Sequence, residues 1–322
     1  MQKVTVIIPT YNRESVLAFT IDSILAQSYQ NWECIIVDDN STDNTPGIAI
    51  HYSQKDDRII FFRRDREPGN ANTCRNIGLT KSTGEFVIFL DSDDLLKPDC
   101  LERRVHIATT NPGHEFWVFR VWRKENEKEI MDSRFLSRDS DMLNKFLEMK
   151  LPWLVTSPLW RREFISSIGG FEERLDRLQD VELHIRALAN IKGSYYIDME
   201  GDPDWSYSYR PFNKVQRNIP LLQKKIRSCL FICNEFGELV AGDRGRSEAL
   251  QKGMSVCLVN FIYENRLNDF KAAEEIKYFL NGLRASGCIS LGRLRKMKIV
   301  IAIPEFFLRL PGSYRAISAF LV

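Results

Sequence analysis

The sequence predicts an α/β fold built on a largely parallel sheet and followed by a mostly helical C-terminal region. Four short runs rich in Val, Ile and Phe (VTVII at 4–8, CIIVD at 34–38, RIIFF at 58–62, FVIFL at 86–90) alternate with helix-period segments, the pattern of strands joined by crossover helices. Polar clusters close these runs, at the strand ends where open α/β sheets bind ligands. From about Asn213 the strand signals fade and long helical segments take over.

Taken in order, the first strand leads into Pro9, Thr10 and Tyr11, and Asn12 is placed to cap a helix. In that helix Val16, Leu17, Ile21, Ile24 and Leu25 recur at intervals of three and four, an apolar stripe that packs on the sheet. Ile36 and Val37 give way to Asp38, Asp39, Asn40, Ser41, Thr42 and Asp43, which end the second strand and cap the next helix. Further on, Phe116 to Trp122 is expected as one strand and Ser140 to Met149 as an amphipathic helix, before a loop-rich segment holding Pro152, Pro158, Gly169 and Gly170. Leu221 to Phe236, Glu248 to Glu264 and Lys271 to Leu283 then read as helices, so we divide the chain into 1–212 and 213–322. There is neither an internal repeat nor low complexity.

With 322 residues, 44% of them hydrophobic, the chain can bury one large core and carry a smaller lobe. Lys plus Arg total 45 against 43 for Asp plus Glu, a net charge of +2 that gives no footprint for a nucleic acid partner. The seven scattered cysteines suit a reducing compartment. Cys229 and Cys233 stand four apart, but without a second pair they read as buried thiols rather than metal ligands. Met1 runs straight into the first strand, and no stretch reaches the roughly 20 apolar residues of a spanning helix, so a cytoplasmic protein is expected.

The fourth apolar run ends in Asp91, Ser92, Asp93 and Asp94. Carboxylates crowded at one strand end repel, by about 4 kcal/mol for unit charges ~4 Å apart at an intermediate dielectric, unless a cation joins them. Hard oxygen ligands of this kind suit Mg2+ or Mn2+, whose shells are usually completed by substrate phosphates and water. Alone, the same residues also suit a solvated turn.

Four segments, VTVIIPTYNR, IDSILAQSYQNWECIIVDDNSTDNT, PGNANTCRNIGLTKSTGEFVIFLDSDD and IGGFEERLDRLQDVELHIRAL, resemble in order and spacing the family 2 glycosyltransferases over roughly residues 3 to 210. The resemblance implies the GT-A fold, a Rossmann-like mixed sheet flanked by helices that binds nucleotide-diphosphate sugars. It also implies that Pro9, Thr10 and Tyr11 line the nucleotide pocket, that Asp39 holds the base or ribose, and that Arg75 of CRNIG stands near the nucleotide. Asn76 and Gly78 beside it serve backbone geometry. An ionised carboxylate only accepts hydrogen bonds, so Asp39 suits the imide N–H of uracil or thymine, or N1–H of guanine, and not the N3 acceptor of cytosine. A UDP-sugar is therefore favoured as donor. In the acidic cluster the resemblance makes Asp93 the metal ligand and places Asp91, with Ser92 beside it, on the ribose or on water held by the ion; Asp91 is thus a second metal contact. Mn2+ or Mg2+ would stabilise the departing diphosphate.

The segment LDRLQDVELHIRAL looks like the acceptor-side helix of that family, and its opening aspartate, here Asp180, is implied as the base that deprotonates the acceptor hydroxyl. Direct displacement inverts the anomeric centre and needs no covalent nucleophile. Asp180 also suits a plain helix N-terminus, with Asp176 and Glu182 as other candidates for the base. His184 is read as a packing or acceptor contact, and Trp153, Trp160 and Phe171 as core or as platforms for an acceptor sugar. The chain departs from the family pattern at Tyr209, Arg210, Pro211, Phe212 and Asn213, where many members carry a histidine near the metal; Arg210 or Lys214 stands in electrostatically.

Residues 284–322 carry Arg284, Arg293, Arg295, Lys296, Lys298, Arg309 and Arg315 against the single acid Glu305. This basic and apolar tail suits peripheral association with the cytoplasmic face of an anionic membrane, and hence a lipid-linked saccharide acceptor, as well as a helix docked on the protein. Cell-surface polysaccharide or lipopolysaccharide assembly is the family-level expectation. A dinucleotide oxidoreductase is disfavoured because PTYNR, and not a Gly-x-Gly-x-x-Gly turn, follows the first strand. A nucleotidyltransferase of the same fold and a non-catalytic sugar-nucleotide binding module remain as alternatives.

Overall fold

Apolar residues on both sides of a strand demand cover on both sides, and the large sheet is built accordingly. The structure, a computed structural model, describes residues 2–64, 69–125, 128–132, 141–208, 218–265, 270–302 and 312–321. Strands β1 (Val4–Thr10), β2 (Trp32–Asp38), β3 (Ile59–Arg63) and β4 (Phe86–Phe89) pair in parallel, with β1 between β2 and β4. Val4, Val6, Ile8, Cys34 and Ile36 face one core, into which helix α1 (Leu17–Leu25) sends Leu17, Ile21 and Ile24. Helix α2 (Thr45–Lys55) adds Ala49 to the same core. Ile35 and Val37 face the other way, onto Cys74 of helix α3 (Ala71–Lys81).

After β4 the chain passes through Leu90–Asp93 into β5 (Asp94–Leu96), which belongs to a second sheet. Helix α4 (Cys100–Thr110) follows, then β6 (His114–Val118), β7 (Val121–Glu125) and β8 (Lys128–Met131). The single strand expected over Phe116 to Trp122 is thus two strands in different sheets: β6 joins the large sheet and β7 the small one. Helix α5 (Met142–Leu147) lies inside the span expected for it. The loop-rich segment hides β9 (Pro158–Arg161), which runs antiparallel between β4 and β6, and helix α6 (Arg162–Ser167). Pro158 is tolerated because it opens the strand.

Helix α7 (Gln179–Asn190), β10 (Ser194–Ile197) and β11 (Trp205–Ser208) complete the two sheets. Their orders are β10-β6-β9-β4-β1-β2-β3 and β5-β11-β7-β8. A buried ion pair braces the small sheet: Arg104 Nε and Nη2 lie 2.7 and 2.8 Å from the Asp204 carboxylate, and Nη1 donates to the Thr156 carbonyl at 2.9 Å.

Among the described residues five helices follow: α8 (Ile219–Ala241), α9 (Arg244–Asn265), α10 (Phe270–Ala285), α11 (Leu291–Ile301) and α12 (Ser313–Leu321). Leu222, Ile226, Cys229, Cys233, Phe236 and Val240 form the buried stripe of α8, at alternating spacings of four and three. The chain divides into two compact units. One comprises Met1–Asp139, Pro152–Glu173 and Arg186–Arg210; the other comprises Ser140–Leu151, Arg174–Ile185 and Pro211–Val322. Among the described residues no helix is long and apolar enough to cross a membrane.

Candidate active site

Parallel pairing in register brings the polar strand ends of the first unit to one edge. Thr10 lies opposite Asp38, Asp38 opposite Arg63, and Ile7 opposite Phe89, just before Asp91. Pro9 and Thr10 are buried and Tyr11 is 44% exposed, so this predicted stretch supplies a floor and one accessible ring.

Asn12 does not cap α1. Its φ is +51°, its N–H donates to Ser41 Oγ at 2.9 Å, and its side-chain carbonyl accepts from the Thr42 N–H at 2.9 Å. Arg13 N–H donates to Thr45 Oγ1 at 2.7 Å, so the segment after β1 is laced to the segment after β2. Asparagine tolerates this left-handed backbone better than most residues. Asp38 is fully buried and closes the turn, accepting from the Ser41 N–H at 2.9 Å.

Asp39, the next residue, is largely buried at the strand end. Its N–H donates to the Thr10 carbonyl at 2.8 Å, fixing it against β1. Its Oδ1 accepts from Arg64 Nη1 and from the Gly69 N–H at 3.1 Å. Nothing in the sequence marks Arg64 as a partner of Asp39; the pairing depends on strand register and not on spacing.

Arg75 is buried on α3. Its Nη2 lies 2.6 Å from Asp91 Oδ1, its Nη1 donates to Asn72 Oδ1 at 3.2 Å, and its guanidinium carbon sits 4.9 Å from the Phe171 ring centroid. Phe171 is held by Asn76, whose side-chain amide donates to its carbonyl and accepts from its N–H, both at 2.8 Å. Phe171 is therefore core support beneath Arg75. Trp153 and Trp160 are fully buried as well, so neither presents a face to an acceptor sugar.

Three carboxylates do stand together after β4, but they are not equivalent. Asp91 and Asp93 have side chains 39% and 36% exposed, and Arg13 Nη2 approaches Asp93 Oδ2 at 3.9 Å. Asp94 turns inward to begin β5, where Thr156 Oγ1 donates to its Oδ2 at 3.2 Å. Burial, and then the charges of Asp91 and Asp93, push its carboxyl well above the usual range. Ser92 is buried and contributes its carbonyl to Thr20 Oγ1 at 3.0 Å. Among the described residues no cluster of three or more His, Cys, Asp or Glu forms a ready-made metal cage. Two accessible carboxylates nevertheless fit Mg2+ or Mn2+, since these ions take one or two protein carboxylates and draw other ligands from phosphates and water.

Asp180 lies in the first turn of α7, in the second unit, two residues after Leu178, whose φ is +59°. Its carbonyl accepts from His184 Nδ1 at 2.6 Å. His184 is fully buried and stacks on Phe146 at 4.9 Å, which makes it a packing residue and no acceptor contact. Of the other candidates for the base, Glu182 is buried, and Asp176 pairs with Lys224 at 3.4 Å and Arg227 at 3.7 Å. Tyr209, Arg210 and Lys214 lie outside the described residues.

A profile of the family described as glycosyl transferase family 2 matches residues 5–164. A Campylobacter jejuni protein named GalNAc(5)-diNAcBac-PP-undecaprenol beta-1,3-glucosyltransferase is 34% identical over 145 residues, 45% of this chain and 47% of its own length. The Escherichia coli protein named UDP-Glc:alpha-D-GlcNAc-diphosphoundecaprenol beta-1,3-glucosyltransferase WfgD is 37% identical over 108 residues, 34% of this chain and 42% of its own. The chain thus spans less than half the length of these two relatives. Among solved structures, S. aureus TarS 1-349 in complex with UDP-GlcNAc aligns with a TM-score of 0.67 over 99% of this chain and 91% of that one, at 18% identity. The fold is that of these GT-A structures, as expected from the sequence.

Proposed function

We propose, from the premise that this chain belongs to glycosyl transferase family 2, that it is an inverting glycosyltransferase moving a sugar from a UDP-sugar to an acceptor hydroxyl. The observation that supports this most is the gathering of Thr10, Asp39, Arg75 and Asp91 at one sheet edge, with oxygens of Asp91 and Asp93 left accessible. In this reading Asp39 accepts the imide N–H of the base, and Pro9, Thr10 and Tyr11 form the pocket wall. Arg75 orients Asp91 toward the ribose, with Ser92 shaping the turn. Asp93, with Asp91, holds Mn2+ or Mg2+, which when bound supplies Lewis-acid stabilisation of the leaving diphosphate.

Asp180 removes the acceptor hydroxyl proton as that oxygen attacks the anomeric carbon. Its place in the first turn of a helix favours the ionised form that a base requires. The relatives' names, with their undecaprenol-linked substrates, support a lipid-linked saccharide acceptor and a role in cell-surface polysaccharide assembly. The basic tail 284–322 supports peripheral association with the cytoplasmic membrane face, and the division into a catalytic domain 1–212 and a helical region 213–322 belongs to the same reading.

The test is a thermal-shift screen of UDP-, GDP- and dTDP-sugars with and without Mn2+, followed by turnover of the binder in wild type and Asp180→Asn. Donor binding that survives the substitution while turnover is lost supports the assignment. Unchanged turnover removes Asp180 from the role of base. Binding without turnover in the wild type on any lipid-linked saccharide acceptor favours a binding module.

A further inference from the structure

Neighbouring strands carry Asp39 and Arg64 to the same place. Asp38 and Arg63 are register partners on β2 and β3, so the next residues along, 39 and 64, emerge side by side; the Arg64 N–H donates to the Asp38 carbonyl at 3.0 Å. Both side chains are largely buried, Arg64 at 13% exposure and Asp39 at 7%, and Nη1 of the one bonds Oδ1 of the other. The Gly69 N–H donates to that same Oδ1 at 3.1 Å. Gly69 also leaves room for the guanidinium, since a Cβ there would lie 2.7 Å from Arg64 Nη1. Asp39 Oδ1 is therefore saturated, whereas Oδ2 accepts no hydrogen bond from the described residues.

We propose that Arg64 and Asp39 act together as a base-selecting edge, one donor beside one acceptor, which makes Arg64 a specificity-determining residue. The inference rests on reading this strand edge as the nucleotide site, and it adds to the selection already ascribed to Asp39 a second residue and a second point of contact. Uracil and thymine present an imide N–H flanked by carbonyl oxygens. The N–H meets Asp39 Oδ2, and the carbonyl meets a guanidinium N–H not used by Asp39. Cytosine presents the reverse at both positions, a ring acceptor at N3 and an amine donor at N4. Adenine is likewise reversed at N1 and N6, whereas guanine shares the imide pattern at N1 and O6. The pair therefore excludes cytosine and adenine, and separating uracil from guanine is left to pocket size.

A matched two-point edge discriminates by roughly tenfold to hundredfold. The experiment is calorimetric titration of UDP and CDP into Mn2+-loaded wild type, Arg64→Met and Gly69→Ala, with thermal melts to establish folding. Wild type should prefer UDP by about that factor, and Arg64→Met should lower the UDP-to-CDP ratio by about tenfold, leaving only the part that Asp39 supplies alone. Gly69→Ala keeps both charges but displaces the guanidinium. It should lower the ratio as well, and it carries the test where Arg64→Met does not fold. A residue that only neutralises Asp39 would change affinity for both nucleotides and leave the ratio alone. An unchanged ratio in the folded variants overturns the inference while the nucleotide site stands; a wild type that binds neither nucleotide overturns both.

Discussion

Arg75 Nη2 lies 2.6 Å from Asp91 Oδ1, so the acidic cluster already holds a protein cation. The repulsion that makes the cluster suggestive in the sequence is relieved three ways. Arg75 pairs with Asp91, Arg13 approaches Asp93, and Asp94 is buried against Thr156. A metal at this site shares Asp91 with Arg75 rather than owning it. Arg75→Gln should therefore raise Mn2+ affinity in the absence of nucleotide and lower UDP affinity by about tenfold, the scale of one lost charge-assisted hydrogen bond. Electron paramagnetic titration of Mn2+ against calorimetric titration of UDP separates the two effects, and both affinities moving in the same direction would contradict the sharing.

Asp93→Ala takes away one of the two accessible carboxylates and leaves the Arg75–Asp91 pair intact. Its effect should be confined to the metal. The extra melting temperature that Mn2+ confers on the UDP-bound protein should vanish, while UDP alone stabilises the variant as it does wild type. A full Mn2+ response in Asp93→Ala would remove this residue from the ion.

Gly78 lies where α3 crosses β1, and a Cβ there would stand 2.4 Å from Ile7 Cγ2. Ile7 is fully buried in the sheet and has nowhere to retreat. Gly78→Ala should cost about 1–3 kcal/mol through overpacking, although alanine is the better helix former. Because Arg75 sits one turn earlier on α3, donor affinity should weaken with stability. Chemical denaturation checks the first effect; a Gly78→Ala variant as stable as wild type would show that α3 can lift off the strand.

How legible each feature is in the sequence depends on how it is encoded. β1, β2 and β4 announce themselves because strands buried on both faces read as unbroken apolar runs, and β3, at the sheet edge with only Ile59 buried, shares the apolar pattern. Asp39, Asp91 and Asp93 stand out because they end such runs. β9 is lost because four residues opening on Pro158 look like a loop, and β6 and β7 merge because Phe119 and Arg120 carry no turn signal. Asn12 looks like a helix cap in one dimension, but its partners Ser41 and Thr42 are 29 and 30 residues away. Arg64 escapes notice for the same reason, since its bond to Asp39 exists only once β2 and β3 are in register. The Cys229–Cys233 spacing reads as buried thiols in the structure as in the sequence.

His184 links acid stability to the start of α7. Burial pulls its pKa down to about 3, against the opposing pull of the Asp180 carbonyl that accepts from Nδ1 at 2.6 Å. The unfolded chain takes up this proton near pH 6.5 and the folded protein only near pH 3, so between those values the unfolded state holds more protons and stability falls as the pH drops. Each unit below 6.5 removes about 1.4 kcal/mol through this group, roughly 2 kcal/mol by pH 5. His184→Phe keeps a ring against Phe146 and abolishes the titration. The variant should be less stable than wild type at pH 7.5, where the bond to the Asp180 carbonyl is missing, yet lose less between pH 7.5 and 5. Denaturant midpoints at the two pH values decide it: parallel losses in both proteins would mean that His184 takes up its proton in the fold at the same pH as in the unfolded chain, and that the first turn of α7 opens to admit the charge.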